Sequence, residues 1–281
     1  MSARLLDGKA VAAAILDEAR AAAKRRGRPP RLAIVAAPGA AAGSYLKAKL
    51  RACAAAGVEV SVHRLSSGPR AKILGLLADL AGDASVDAVI VETPYPRGLS
   101  PADVASAIPP GKDAEGVTPE TYGTLFLAKS RAESARLVGP CTAVALARLA
   151  RASRVPLAGR RALVIGRSAT VGRPAAHLLS TFDMTVTLAH SRTRGLAALC
   201  READVLVASA GVPGLVKAAW IKRGALVLDA GIHLVRGKLV GDVAAAAAAR
   251  AGVLTPVPGG VGPVTTAVLV LQAALLAERR R

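Results

Sequence analysis

Aromatic side chains are nearly missing from this chain: 281 residues include one Trp, three Tyr and two Phe, 2% in all. A hydrophobic fraction of 52% must therefore build its core from Ala, Val, Leu and Ile. That apolarity excludes global disorder, whose signature is low hydrophobicity. Cysteine is scarce too. Cys53, Cys141 and Cys200 are odd in number, widely spaced and free of any C-x-x-C pair. This argues against a disulfide framework or a zinc site and for idle thiols in a reducing compartment. The four histidines, His63, His177, His190 and His233, show no metal-ligand spacing, so no metal is expected. No uninterrupted apolar run reaches the roughly 18 residues of a membrane span. Residues 266–277 come nearest and contain Gln272. Met1 to Arg26 mixes Asp7, Lys9, Asp17 and Glu18 with apolar residues and reads as an amphipathic helix, not a signal peptide. A cytoplasmic protein without a membrane partner is expected.

Acidic residues are also in short supply, 19 against 38 Lys and Arg, for a net charge of +19. Such a balance suits nucleic acid, anionic membranes or acidic small ligands. A nucleic-acid-binding protein would interleave clustered basic residues with aromatics for stacking. Basic clusters occur only at Lys24–Arg26 and Arg279–Arg281, so a non-catalytic nucleic-acid-binding paralogue is the remote alternative.

What the sequence does contain is alternation. Short β-branched runs at 31–37, 59–63, 86–92, 161–165, 185–189, 205–208 and 225–229 are separated by helical patterns such as 41–56, 70–81, 141–153 and 171–181. This pattern predicts an α/β fold with parallel sheets covered on both faces. A loop-rich stretch from Ile108 to Pro140 is the expected domain boundary. It separates residues 1–140 from 141–263, with a last helix over 264–281. The tract Ala244–Ala249 predicts a surface helix.

The strand at 161–165 runs into Gly166-Arg167-Ser168-Ala169-Thr170-Val171-Gly172-Arg173-Pro174 and then an apolar helix. A glycine directly after a strand permits the tight turn, and the next helix N-terminus offers free N–H groups to a phosphate. The spacing is not G-x-G-x-x-G, so a plain strand-to-helix turn stays open. The following strand ends in His190-Ser191-Arg192-Thr193, where an acid would favour NAD and basic or hydroxyl groups suit a 2′-phosphate. NADP is preferred on that chemistry, although Arg192 is one Arg among 28. Asp229 with Gly231 fits either a strand end beside a nicotinamide or a simple tight turn. Trp220 reads as a packing residue.

These motifs occur in order with Pro140-Cys141-Thr142, Ala203-Asp204, Asp229-Ala230-Gly231-Ile232, Gly241-Asp242-Val243 and the block from Thr255 to Thr265, Thr-Pro-Val-Pro-Gly-Gly-Val-Gly-Pro-Val-Thr. Over nearly its whole length the chain resembles the bifunctional methylenetetrahydrofolate dehydrogenase/methenyltetrahydrofolate cyclohydrolase (FolD) family. The resemblance implies a homodimer whose subunits each have two α/β domains flanking a cleft. It implies tetrahydrofolate derivatives on residues 1–140 and NADP on a Rossmann-type domain at 141–263, with the last helix packed back on the N-terminal domain. The implied cofactor contacts are Gly166, Arg167, Ser168, Val171, Gly172, Ser191, Arg192, Thr193, Ile232 and Thr265. Pro258, Gly259 and Gly260 would line the folate.

The family's catalytic Tyr-x-x-x-Lys is met by Tyr45 and Lys49, four apart and so on one helical face. By resemblance Tyr45 stacks on the pterin and Lys49 handles a proton; by itself the lysine reads as a solvated side chain on an amphipathic helix. The family's Val-Gln-Leu-Pro-Leu-Pro appears as Val91-Glu92-Thr93-Pro94-Tyr95-Pro96, and its Lys-Asp-Val-Asp-Gly as Lys112-Asp113-Ala114-Glu115-Gly116. The functional Gln has become Glu92, and the Asp that holds the pterin's amino edge is Glu115. A family Asn is Thr121, and the Ser three before the catalytic Tyr is Ala42. All four departures fall on the folate side. The implied catalytic set is Lys49, Tyr45, Glu92 and Glu115, with Pro94 beside them in folate binding. A carboxylate at Glu92 adds a counter-ion beside the lysine ammonium. The expectation is retained NADP-dependent dehydrogenation with weakened cyclohydrolase; the alternative is the fully bifunctional enzyme making 10-formyltetrahydrofolate.

Overall fold

The computed structural model describes residues 3–37, 40–65 and 69–280, apart from the side chains at 40–42 and 44. The Ala42 side chain is therefore outside what is described. The chain forms two compact units. One runs to Ala12 and resumes from Phe126 to Thr265; the other is Ala13–Leu125 with the chain from Thr266 onward. The change of unit between Leu125 and Phe126 falls inside the stretch Ile108–Pro140, upstream of a division at 140/141.

The first unit is built on a six-stranded parallel sheet in the order Arg4–Leu5, Val253–Leu254, Leu226–Asp229, Val205–Ala208, Arg161–Ile165, Thr185–Ala189. The strands at 205–208 and 226–229 are buried throughout, which is why Val205–Ala208 and the first three residues of the other read as apolar runs instead of alternating ones. From Arg161–Ile165 the chain passes to one neighbour, Thr185–Ala189, and then back to the other, Val205–Ala208. That reversal opens a crevice at the carboxyl ends of these strands, the usual place for a ligand in an open α/β sheet.

The N-terminus differs from the single helix expected. Arg4–Leu5 is an edge strand and the helix begins at Gly8, running to Arg26. Backbone bonds from Arg4 to Gly252 and from Leu6 to Leu254 hold the edge, and the Arg4 guanidinium donates to the Ser153 carbonyl at 2.5 Å. A two-residue strand is too short to show any period. The alanine tract is a short 3₁₀ helix, Ala245–Ala249, with Ala245, Ala246 and Ala249 exposed and Ala247 fully buried against the core. A methyl side chain is small enough to be buried without marking a face in the sequence. The stretch expected to be loop-rich holds short helices at Pro119–Leu127 and Arg131–Ser134.

The second unit carries a three-stranded parallel sheet in the order Glu59–Arg64, Arg31–Ala36, Ala88–Val91, with the helices Ala40–Ala56, Arg70–Gly82 and Pro101–Ala107. The helix Val261–Arg279 is long and apolar enough to cross a membrane by composition, yet 67% of its apolar stretch is buried in the protein. It is tied down by polar contacts. Gln272 donates to the Ala114 carbonyl at 2.8 Å, Arg25 grips Glu278 at 2.7 and 3.0 Å, and Arg280 reaches the Val86 carbonyl at 2.8 Å.

Candidate active site

Helix Ala40–Ala56 presents Tyr45, Lys49 and Cys53 four residues apart. The stripe grades from water to core. Tyr45 is 43% exposed, Lys49 is partly buried and Cys53 is fully buried, its thiol pushed up to about 12 by desolvation against the opposing pull of Lys49. Lys49 Nζ donates to Glu92 Oε1 at 2.5 Å. Glu92 follows directly on the strand Ala88–Val91, and its backbone N–H continues the ladder by donating to the Val35 carbonyl. Glu115 reaches the same place by another route. A parallel bridge pairs Val89 with Asp113, so the chain from 113 to 115 runs beside the strand toward Glu92. The buried Asp113 carboxylate accepts from the backbone N–H groups of Gly116, Val117 and Thr118 at 2.8, 3.1 and 2.8 Å, which fixes this turn. Burial pushes the half-buried Glu115 carboxyl up to about 7; Lys49 pulls it down while Glu92 and Asp113 push it further up. Burial likewise raises the Tyr45 hydroxyl, with Lys49 opposing. The structure thus brings Tyr45, Lys49, Glu92 and Glu115 together in one charged cluster. Pro94 is exposed just beyond Glu92, after a cis Thr93–Pro94 bond. Thr121 is buried, and its hydroxyl accepts from that of Thr118 at 2.8 Å.

In the other unit, Gly166 ends its strand at φ +119, and a Cβ there would lie 2.1 Å from the Ser209 carbonyl oxygen. A Cβ on Gly172 would lie 1.9 Å from the Gly166 carbonyl oxygen. Both glycines are therefore required by close backbone packing of the loop on the sheet and helix. The Ser168 hydroxyl accepts from the N–H groups of Val171 and Gly172 at 3.1 and 3.3 Å, fixing the loop that leads into the helix Gly172–Ser180. Arg167 is exposed beside it. At the end of the next strand, the Thr193 hydroxyl accepts the His190 N–H at 2.9 Å and the Thr193 N–H donates to the His190 carbonyl at 2.8 Å. This closed turn leaves Ser191 and Arg192 exposed, with no acid in the turn. That donor set suits a 2′-phosphate and would repel nothing in it. Ile232 is 45% exposed, and the Thr265 hydroxyl donates to the Val261 carbonyl at 3.2 Å. The block at 255–260 is fixed. Thr255 Oγ1 accepts the Asp229 N–H at 2.8 Å, Gly259 O accepts the Gly8 N–H at 3.0 Å, and Val257–Pro258 is cis. Gly260 is buried, and a Cβ there would meet the Pro256 carbonyl oxygen at 2.5 Å.

A family model of the tetrahydrofolate dehydrogenase/cyclohydrolase catalytic domain matches residues 6–115, and one of the NAD(P)-binding domain of the same family matches residues 140–281. The chain belongs to this family. It is 45% identical to the bifunctional protein FolD of Acidiphilium cryptum over the whole of both chains. Among solved structures, FolD methylenetetrahydrofolate dehydrogenase/cyclohydrolase of Campylobacter jejuni superimposes with a TM-score of 0.90 at 32% identity, covering all of both chains. The Trypanosoma brucei FolD complexed with NADP cofactor and inhibitor gives 0.89 at 35% identity, covering 99% of this chain and 98% of that one. This chain accordingly carries an NAD(P)-binding domain.

Within that family frame, sequence reasoning passed over three groups. Asp113 sits inside a quoted motif, yet only the structure shows that its carboxylate shapes the Glu115 turn. Tyr95 is half-buried, and desolvation raises its hydroxyl, with Glu115 and Asp113 adding to the shift, so it neighbours the charged cluster. Asp242 is fully buried and ties down Ala210, Gly211 and His233. An Asp preceded by Gly and followed by an apolar residue was the available signal. Among the described residues, no group of three His, Cys, Asp or Glu is placed to hold a metal ion.

Proposed function

We propose that this protein is an NADP-dependent 5,10-methylenetetrahydrofolate dehydrogenase of the cytosol whose cyclohydrolase step is weakened. Residues 1–140 with the helix after 264 handle the folate, and residues 141–263 the dinucleotide. Tyr45 stacks on the pterin, Glu115 accepts from its amino edge, and Pro94 with Pro258, Gly259 and Gly260 line it. Gly166, Arg167, Ser168, Val171, Gly172, Ser191, Arg192, Thr193, Ile232 and Thr265 hold NADP, with Ser191 and Arg192 on its 2′-phosphate. NADP supplies the hydride acceptor when bound.

In the dehydrogenase step the carbon bridging the two folate nitrogens loses a hydride and becomes a methenyl cation. No side chain moves a proton, and the Glu92 carboxylate can stabilise the developing positive charge. In the cyclohydrolase step water adds to that cation, one proton is released and 10-formyltetrahydrofolate forms. This step needs a group free to take the proton. The observation that carries the proposal is the 2.5 Å Lys49–Glu92 ion pair, in which a carboxylate engages the lysine nitrogen that the cyclohydrolase step would call on. The second reading, a fully bifunctional enzyme, is favoured by the bifunctional relatives and by Glu115, a carboxyl that exchanges its proton near neutral pH. The assay that tests the proposal follows methenyl absorbance with methylenetetrahydrofolate and NADP; absence of any methenyl signal contradicts it.

A homodimer is also proposed. The antiparallel hairpin of His233–Val235 and Lys238–Val240 exposes Leu234 at 73%, with Val235 and Leu239 beside it, an apolar edge suited to a second copy.

A further inference from the structure

Two buried carboxylates, Asp229 and Asp242, join three loops at the carboxyl ends of the large sheet. Asp229 Oδ1 accepts from the Gly231 and Asp242 N–H groups at 2.9 and 3.0 Å, and its Oδ2 from the Val243 N–H at 2.9 Å. Asp242 Oδ2 accepts from the Ala210 and Gly211 N–H groups at 2.6 and 2.9 Å, and its Oδ1 faces His233 Nε2 at 2.7 Å. Glycines make room for both acids. A Cβ on Gly231 would lie 2.3 Å from Asp242 Oδ1, and one on Gly241 would lie 1.9 Å from Asp229 Oδ2.

Ile232 lies between the two tethers. Its preceding residue, Gly231, is held by Asp229, and its following residue, His233, is held by Asp242, while the Ile232 side chain itself stays exposed. We infer that His233 is a positioning residue for dinucleotide binding, acting through its Nε2–H donation to Asp242 to fix the aim of Ile232. The inference rests on the proposal that Ile232 meets the dinucleotide. A bond from a ring N–H to a buried carboxylate is among the stronger ones, and the Asp242 side chain is fully buried.

The test is NADP titration of the full-length wild type and of His233→Ala and His233→Gln, with melting temperature and the folate KM recorded alongside. His233→Ala should weaken NADP binding about tenfold and leave the folate KM within twofold. His233→Gln places an amide N–H near the same position and should recover most of the loss. A NADP affinity of His233→Ala within twofold of wild type overturns the inference, as does a glutamine variant that fails to recover while melting normally. Failure of the wild type itself to bind NADP would instead overturn the proposed function.

Discussion

Lys49 Nζ stands 2.5 Å from Glu92 Oε1, and the two side chains are 14% and 7% exposed. The pair joins the middle of one helix to the end of one strand, so neither partner turns away without leaving the other's charge largely out of water. An amide at position 92 would still accept a hydrogen bond from Lys49 but would bring no negative charge to it. This buried negative charge is one that the composition, with its excess of 19 positive charges, conceals.

Glu115 makes stability fall as pH rises. Its carboxyl ordinarily titrates near 4.5 and is pushed up to about 7 by burial, so the folded chain holds this proton more tightly than the unfolded chain does. The stabilisation is complete below about 4.5 and is lost as pH climbs through 7, by up to about 3 kcal/mol. Asp229, pushed up to about 6 by burial, acts in the same direction over a lower window. Glu115→Gln should be more stable than wild type at pH 8 and equal to it near pH 4.5 in urea unfolding. An unchanged difference between the two pH values would count against this.

Arg192 should set the choice of dinucleotide. It is exposed in a turn closed by His190 and Thr193, free of any acid. Arg192→Ala is expected to raise the KM for NADP about tenfold, the order of one charge-assisted hydrogen bond, while barely moving the KM for NAD. Equal losses for both dinucleotides would place the 2′-phosphate elsewhere.

Gly172 has no room for a methyl group. A Cβ would sit 1.9 Å from the Gly166 carbonyl oxygen, a backbone atom that cannot swing aside. Gly172→Ala should lower the melting temperature by several degrees, as a loss of about 1–3 kcal/mol does in a domain of this size, and should also abolish saturable NADP binding. A variant that melts and binds as wild type would show that the loop relaxes freely.

The central strands of both sheets were legible because burial on two faces writes continuous apolar runs, as at 161–165 and 205–208. The shortest and most exposed elements were not: Arg4–Leu5 and Val253–Leu254 have two residues each, and the hairpin at 233–240 is mostly exposed, so none has a pattern to read. The candidate pair Tyr45 and Lys49 and the departure at Glu92 were visible through motif order. The approach of Glu115 to that pair was not, because it depends on Asp113 fixing the Glu115 turn beside the neighbouring strand. The same holds for Asp242 and His233, nine residues apart in sequence and 2.7 Å apart in space.

The most direct test compares wild type with Glu92→Gln, following both the appearance of methenyltetrahydrofolate and its decay in one spectrophotometric trace. With methylenetetrahydrofolate and NADP, wild type should form the methenyl species and let it accumulate. Glu92→Gln should form it no faster but hydrolyse it at least tenfold faster, the order of a restored proton-transfer group. A wild type that hydrolyses the methenyl species as fast as it forms, with no gain in the glutamine variant, would contradict the account.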